Sequence, residues 1–311
     1  MGKLAFVFPG QGSQSVGMGK ELAEKFPEAR AVFDAADSAL GEKLSTLCFE
    51  GPEDALKLTA NTQPTILASS VAAHAALAAR APKPDFVAGH SLGEYSALCA
   101  MGAVDVGSAV KAVRARGTFM QEAVPQGQGA MAAILGLDPG KVREACEASA
   151  QGEVVAPANY NSPEQTVIAG SAAAVERAMA RCKELGAKRA LPLPVSAPFH
   201  CALMAPVQPR LREVLAPLSW KAPAAPVVSN VEAAPNAEAS RIVGLLVEQV
   251  TAPVRWIECV QAMSREGVTR IVEVGPGKVL SGLIKRIDKG IEVFNVEDAA
   301  SLEKTLAALG T

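Results

Sequence analysis

Gly89-His90-Ser91-Leu92-Gly93 holds more potential chemistry than any other short segment of this sequence. It follows the apolar run Phe86 to Ala88 and opens the apolar helical pattern SLGEYSALCA, the strand-turn-helix setting that a nucleophile elbow requires. The flanking glycines permit a tight turn that exposes the serine hydroxyl. The N–H of Leu92, at the start of the helix, would point toward a developing oxyanion. A five-letter match arises by chance in Gly-rich chains, so the setting carries the reading more than the letters do.

A serine hydroxyl needs a base, and the chain offers three histidines, so the search is short. His74 lies within TILASSVAAHAALAA and reads as a packed helical side chain. His90 adjoins the serine across a tight turn and reads as support for the elbow. His200 ends the Pro-rich segment LPLPVSAPFH, a loop position of the kind that carries functional groups, and is the candidate base. A carboxylate to orient it is hard to find. No aspartate occurs between Asp138 and Asp288, and the glutamates from Glu153 to Glu184 fall in a segment read below as an insertion. An amide or carbonyl acceptor is therefore expected behind His200.

Arg116 is the second informative residue. In VKAVRARGTFMQEAV the helical stripe Ala109, Val113, Arg116, Met120, Val124 is otherwise apolar, whereas Arg114 falls on the polar stripe Gly107, Lys111, Thr118, Gln121. A guanidinium on a buried face demands an anion. That anion is either a substrate carboxylate, gripped by two charge-assisted hydrogen bonds, or an internal partner such as Glu94.

The loop Gly10-Gln11-Gly12-Ser13-Gln14 follows the strand Leu4 to Phe8 but is no phosphate loop: Ser15 stands where GxGxxG needs its third glycine, and Lys20 is followed by Glu21. The Gln11 backbone N–H could instead supply a second oxyanion donor. Gly275-Pro276-Gly277-Lys278 reads as a strand-to-helix connection without chemistry.

These groups need a scaffold. The first third alternates short β-rich runs with helical patterns at about 19 to 40 and 62 to 80, which argues for a mostly parallel sheet covered on both faces. After the linker AVPQGQG the order becomes β-α-β-β-α-β: MAAILGL, Pro139 to Ser149, VVAPANY, QTVIAG, Ala172 to Leu185, Lys188 to Leu193. That is the ferredoxin-like split βαβ arrangement. The expected fold is α/β: an α/β-hydrolase-like core from residues 1–128 and 195–311, with residues 129–194 as an inserted ferredoxin-like βαββαβ subdomain. Strands near APVVSNV and TRIVEVG would complete the core sheet.

Composition excludes several classes of function. The formal net charge of −2 supplies no electrostatic footprint for nucleic acid or an anionic membrane. LAFVF, broken by Pro9 and Gly10, reads as a strand and not as a signal peptide, and no run is long and apolar enough to span a bilayer. Six scattered cysteines with no CxxC pair and no histidine at ligand spacing argue against a metal site and for a reducing, cytoplasmic setting. Cys201, although next to His200, reads as a buried apolar residue.

Six ordered blocks strongly resemble the malonyl-CoA:acyl carrier protein transacylase family: FPGQGSQ (8–14), GHSLGEYSAL (89–98), VRARGTFMQ (113–121), ANYNSPEQTVIAG (158–170), APFH (197–200) and EVGPGKVLSGLIKRI (273–287). The resemblance implies a nucleophile at Ser91, a base at His200 and a carboxylate-binding guanidinium at Arg116. It implies oxyanion donors at Gln11 and Leu92, and Gln249 as the acceptor that orients His200. Phe199 resembles the malonyl-selective form of its motif, because a bulky ring would crowd a methyl at C2. Malonyl-CoA and acyl carrier protein are the implied partners, with a coenzyme A thioester as substrate, no bound cofactor, and a monomer expected. The rival readings are a serine hydrolase or acyl-CoA thioesterase, which would not need Arg116, and a non-catalytic scaffold for acyl carrier protein.

Overall fold

A computed structural model describes residues 2–195 and 197–310; Ser196, in the Pro-rich linker, lies outside the described residues. In chain order the strands are β1 (Lys3–Phe8), β2 (Phe86–Gly89), β3 (Gly129–Leu135), β4 (Val155–Ser162), β5 (Gln165–Ser171), β6 (Arg189–Pro192), β7 (Val227–Val228), β8 (Pro235–Asn236), β9 (Val268–Val274) and β10 (Glu292–Val296).

Every residue of β1 after Lys3 is apolar and buried, as a parallel strand covered on both faces must be. Leu4, Phe6 and Phe8 enter one hydrophobic cluster, and Ala5 and Val7 enter another on the opposite face, following the two-residue repeat of a strand. The larger sheet runs β10-β9-β1-β2-β7-β8, and all its pairs are parallel except β7 with β8. A separate antiparallel sheet runs β4-β5-β3-β6. The helices Pro139–Ser149 and Ala172–Glu184 follow β3 and β5, and their buried faces share a third cluster with Ala132, Ile134 and Ile168. The fold is mixed α/β, with a mostly parallel sheet and a second, antiparallel one.

Some elements differ from expectation. The helical pattern at 19 to 40 is two helices, Lys20–Lys25 and Pro27–Leu40, separated by an extended Phe26. Proline disfavours the helical region for the residue before it and suits the first position of a new helix. The short helices Leu44–Glu50 and Glu53–Lys57 lack a long apolar repeat and were not anticipated. APVVSNV contributes only the two residues of β7, and β8 and β10 add edge strands. Among the described residues no helix is long and apolar enough to cross a membrane.

The adjacent strands β1 and β2 end together, Phe8 beside Gly89. Loops leaving the carboxyl ends of such strands line the crevice where α/β sheets bind ligands, and both the Gly10–Gln14 loop and the serine turn leave from there.

Candidate active site

The serine turn is tight because two glycines let it be. A Cβ on Gly89 would lie 1.8 Å from the Gly93 carbonyl carbon, and one on Gly93 would lie 2.0 Å from the Phe8 carbonyl oxygen. Ser91 adopts φ 52° and ψ −107°, a strained conformation immediately before the helix Leu92–Ala100, as an elbow demands. Because Leu92 opens that helix, its N–H has no acceptor within the helix.

Ser91 Oγ lies 2.7 Å from His200 Nε2. On the far side of the ring, Nδ1 faces the backbone carbonyls of Gln249 at 2.9 Å and Ala252 at 3.2 Å. Carbonyls only accept, so Nδ1 carries the proton and Nε2 is left to accept from the serine hydroxyl. Burial, followed by the positive charge of Arg116, pulls the imidazole down to about 3. His200 is therefore neutral at physiological pH.

Arg116 is 1% exposed on the helix Val106–Glu122. One terminal nitrogen donates to Gln63 Oε1 at 2.8 Å; the other donates to Gln249 Oε1 at 2.9 Å and Ser91 Oγ at 3.1 Å. Its hydrogen-bond partners are thus neutral, and the Tyr95 ring lies 5.4 Å away. Of the two anions open to it from sequence, Glu94 forms no direct hydrogen bond with it. Arg114, by contrast, meets Asn61 and Glu42 toward the surface.

Ser91, Leu92, Arg116, Phe199, His200 and Gln11 all line one cavity of about 120 Å³, room for an acyl group of a few heavy atoms. A larger cavity of about 510 Å³ shares Gln11, His90 and Asn159 with it, and continues between the Gly10–Gln14 loop and residues Asn161 and Gln165 of the second sheet.

Residues 5–304 match the acyl transferase domain family. The chain belongs to that family. It is 49% identical over 307 residues to the malonyl CoA-acyl carrier protein transacylase of Salmonella typhimurium, covering 98% of this chain and 99% of that one. It is 48% identical over 310 residues to the transacylase of the same name from Bacillus subtilis, covering 99% and 98%. Among solved structures, an acyl carrier protein S-malonyltransferase from Vibrio cholerae matches with a TM-score of 0.95 at 50% identity, covering 97% of this chain and 99% of that one. A chain from a complex of a type II PKS acyl-carrier protein with its malonyl-transacylase matches with a TM-score of 0.96 at 47% identity, covering 98% and 99%.

Gln249 faces two sets of partners. Gln249 does accept from His200, but through its backbone carbonyl; its side-chain amide turns to Arg116, to the Ser91 carbonyl at 3.0 Å and to Glu94 at 2.8 Å. Asn230 is a residue that sequence reasoning passed over. Its Oδ1 accepts from the Ser91 N–H at 2.7 Å and its Nδ2 donates to the Gly89 carbonyl at 2.7 Å, pinning both sides of the elbow. A polar residue at the end of the strand run APVVSN was the available signal. His90 supports the same turn: Nε2 bonds Asn161 Oδ1 at 2.8 Å and the ring lies 5.7 Å from Trp256. His74 packs against Phe6 and Phe8. Cys201 bonds the Pro198 carbonyl, and burial lifts its thiol to about 11, so it is no rival nucleophile.

Proposed function

We propose that this chain moves a malonyl group from malonyl-CoA to the pantetheine thiol of acyl carrier protein, through an ester on Ser91, in fatty acid or polyketide biosynthesis. The observation that carries the reading is the meeting of Ser91 Oγ, His200 Nε2 and the Arg116 guanidinium at one cavity. A nucleophile, its base and an anion site without a carboxylate partner suit a substrate that is both a thioester and an acid. The relatives' names supply the acyl group and the acceptor.

In the first half-reaction the Ser91 oxygen attacks the thioester carbonyl while its proton passes to His200 Nε2. The tetrahedral oxyanion is held by the N–H groups of Gln11 and Leu92, each such donor contributing roughly 2.7–4 kcal/mol to the transition state. Collapse breaks the carbon–sulfur bond, and His200 returns the proton to the departing thiolate, releasing CoA. In the second half-reaction His200 takes the proton of the carrier-protein thiol, the sulfur attacks the ester, and Ser91 leaves with the proton restored. Arg116 grips the malonyl carboxylate through both steps, and Phe199 bounds the acyl cavity against a C2 substituent. No cofactor enters the scheme.

The same proposal treats residues 1–128 and 195–311 as one domain and 129–194 as an inserted one, with the larger cavity taking the pantetheine arm between them. The proposal includes a monomer. All six cysteines are free and buried, which supports a reducing, cytoplasmic setting.

The test compares CoA release from malonyl-CoA with and without carrier protein. Transfer predicts about one equivalent of CoA per enzyme without carrier protein, and sustained turnover only with it, matched by malonyl-carrier product. Release that is equally fast without it, with free malonate as product, would make the chain a thioesterase and contradict the proposal.

A further inference from the structure

Beneath the elbow lies a buried carboxyl group that the reaction scheme does not use. Glu94 is 3% exposed, and its Oε2 accepts from the Asn230 backbone N–H at 3.0 Å and from Gln249 Nε2 at 2.8 Å. The same Gln249 amide receives Arg116 on its oxygen at 2.9 Å. An amide placed between a donor and an acceptor has one orientation that satisfies both. The sequence Arg116, Gln249, Glu94 is thus a cation and an anion joined through a neutral side chain. Because the amide separates them, the carboxyl steadies the guanidinium without occupying the edge that faces Ser91.

We propose that Glu94, acting through the Gln249 side chain, is a positioning and specificity-determining residue: it fixes the Arg116 fork, and its charge sets how tightly the site takes the substrate's carboxylate. The inference rests on the transfer reading above. Its physical basis is that a bound malonyl carboxylate and an ionised Glu94 are two anions sharing one buried cation. Such crowding favours the neutral form of one of them.

Burial lifts Glu94 to about 7, against the opposing pull of Asn230, Gln249 and Arg116. The other titratable groups around the elbow do not change charge in that range. Burial lowers Arg116, but a guanidinium stays the cation, Tyr95 on the same helix and Cys259 on the helix Trp256–Arg265 are pushed up by burial, and His90 and His200 are pushed down. Glu94 is neutral below about 7 and charged above it, so affinity for a carboxylate-bearing acyl group is greatest on the acid side and falls as pH rises. A second negative charge that close to the ligand lowers affinity on the order of tenfold at an effective dielectric of about 20.

The experiment measures dissociation constants of malonyl-CoA and acetyl-CoA on a Ser91→Ala background, which cannot turn over, from about pH 6 to about pH 8.5. Acetyl-CoA carries the same coenzyme phosphates, so the ratio of the two isolates the carboxylate. The expected result is a malonyl-to-acetyl dissociation ratio that rises on the order of tenfold with pH, and no such rise after Glu94→Gln. A flat ratio with Glu94 intact overturns the inference, as does an equal rise in the Glu94→Gln variant. Should that variant fail to fold, the profile with Glu94 intact decides alone. Malonyl adduct formation on the enzyme with Ser91 intact separates the two readings: adduct with a flat ratio removes only the role of Glu94, whereas no adduct removes the transfer reading and this inference with it.

Discussion

Arg116→Ala should cut malonyl transfer by roughly 10²–10³-fold while leaving acetyl transfer intact or faster. The magnitude follows from two hydrogen bonds to a charged group at about 1.5–3 kcal/mol each, discounted because the bonds are not independent. Acetyl transfer is the essential control. Arg116 also touches Gln63, Gln249 and Ser91, so a general collapse of the site would slow both acyl groups alike. Arg116→Lys should also be impaired on malonyl-CoA, because an ammonium lacks the planar fork. Steady-state kinetics on the two thioesters gives the answer: equal losses would refute the carboxylate role, and wild-type rates with lysine would refute bidentate binding.

His200→Ala should lower the rate of Ser91 acylation by about 10²–10⁴-fold, the usual worth of a positioned general base. The loss should appear with malonyl and acetyl thioesters alike, because the base acts on the serine and not on the acyl tail. This separates it from the Arg116 effect. The wild-type base also has an unusual pH signature. Burial and Arg116 depress the imidazole to about 3, so the neutral form that the mechanism needs persists well into acid. Accordingly, kcat/KM for acetyl-CoA should not fall with a midpoint near the ordinary histidine value of about 6.5 as pH is lowered. The His200 ring resonance, assigned by its absence in the variant, should likewise keep its neutral position down to about pH 5. A titration centred near 6.5 would contradict the buried, neutral base.

Much of this site was legible because the chemistry of single residues constrains their neighbours. The glycines around Ser91 announce a turn, three histidines leave few candidates for a base, and an arginine on an apolar stripe declares its burial. Other features depend on convergence across long stretches of chain. Asn230 meets the Ser91 N–H across a separation of 139 residues, and Gln249 meets the Ser91 carbonyl across 158. Local periodicity carries no record of either contact. The same limit explains Gln249, whose backbone and side chain face different partners: the family resemblance implies the residue but not which of its atoms reaches His200. In the fold, the β-α-β-β-α-β order was readable because each element has its own repeat. The two-residue strands β7 and β8 are too short to show one, and pairing within the sheet alone defines them.

Transfer through an ester requires the acyl group to rest on Ser91 between donor and acceptor. Rapid quenching after mixing with malonyl-CoA, followed by mass analysis of the peptide containing residue 91, tests it most directly. The expected result is a malonyl ester on Ser91 that disappears when acyl carrier protein is added. A peptide that stays unmodified while malonyl groups still reach the carrier protein would contradict it.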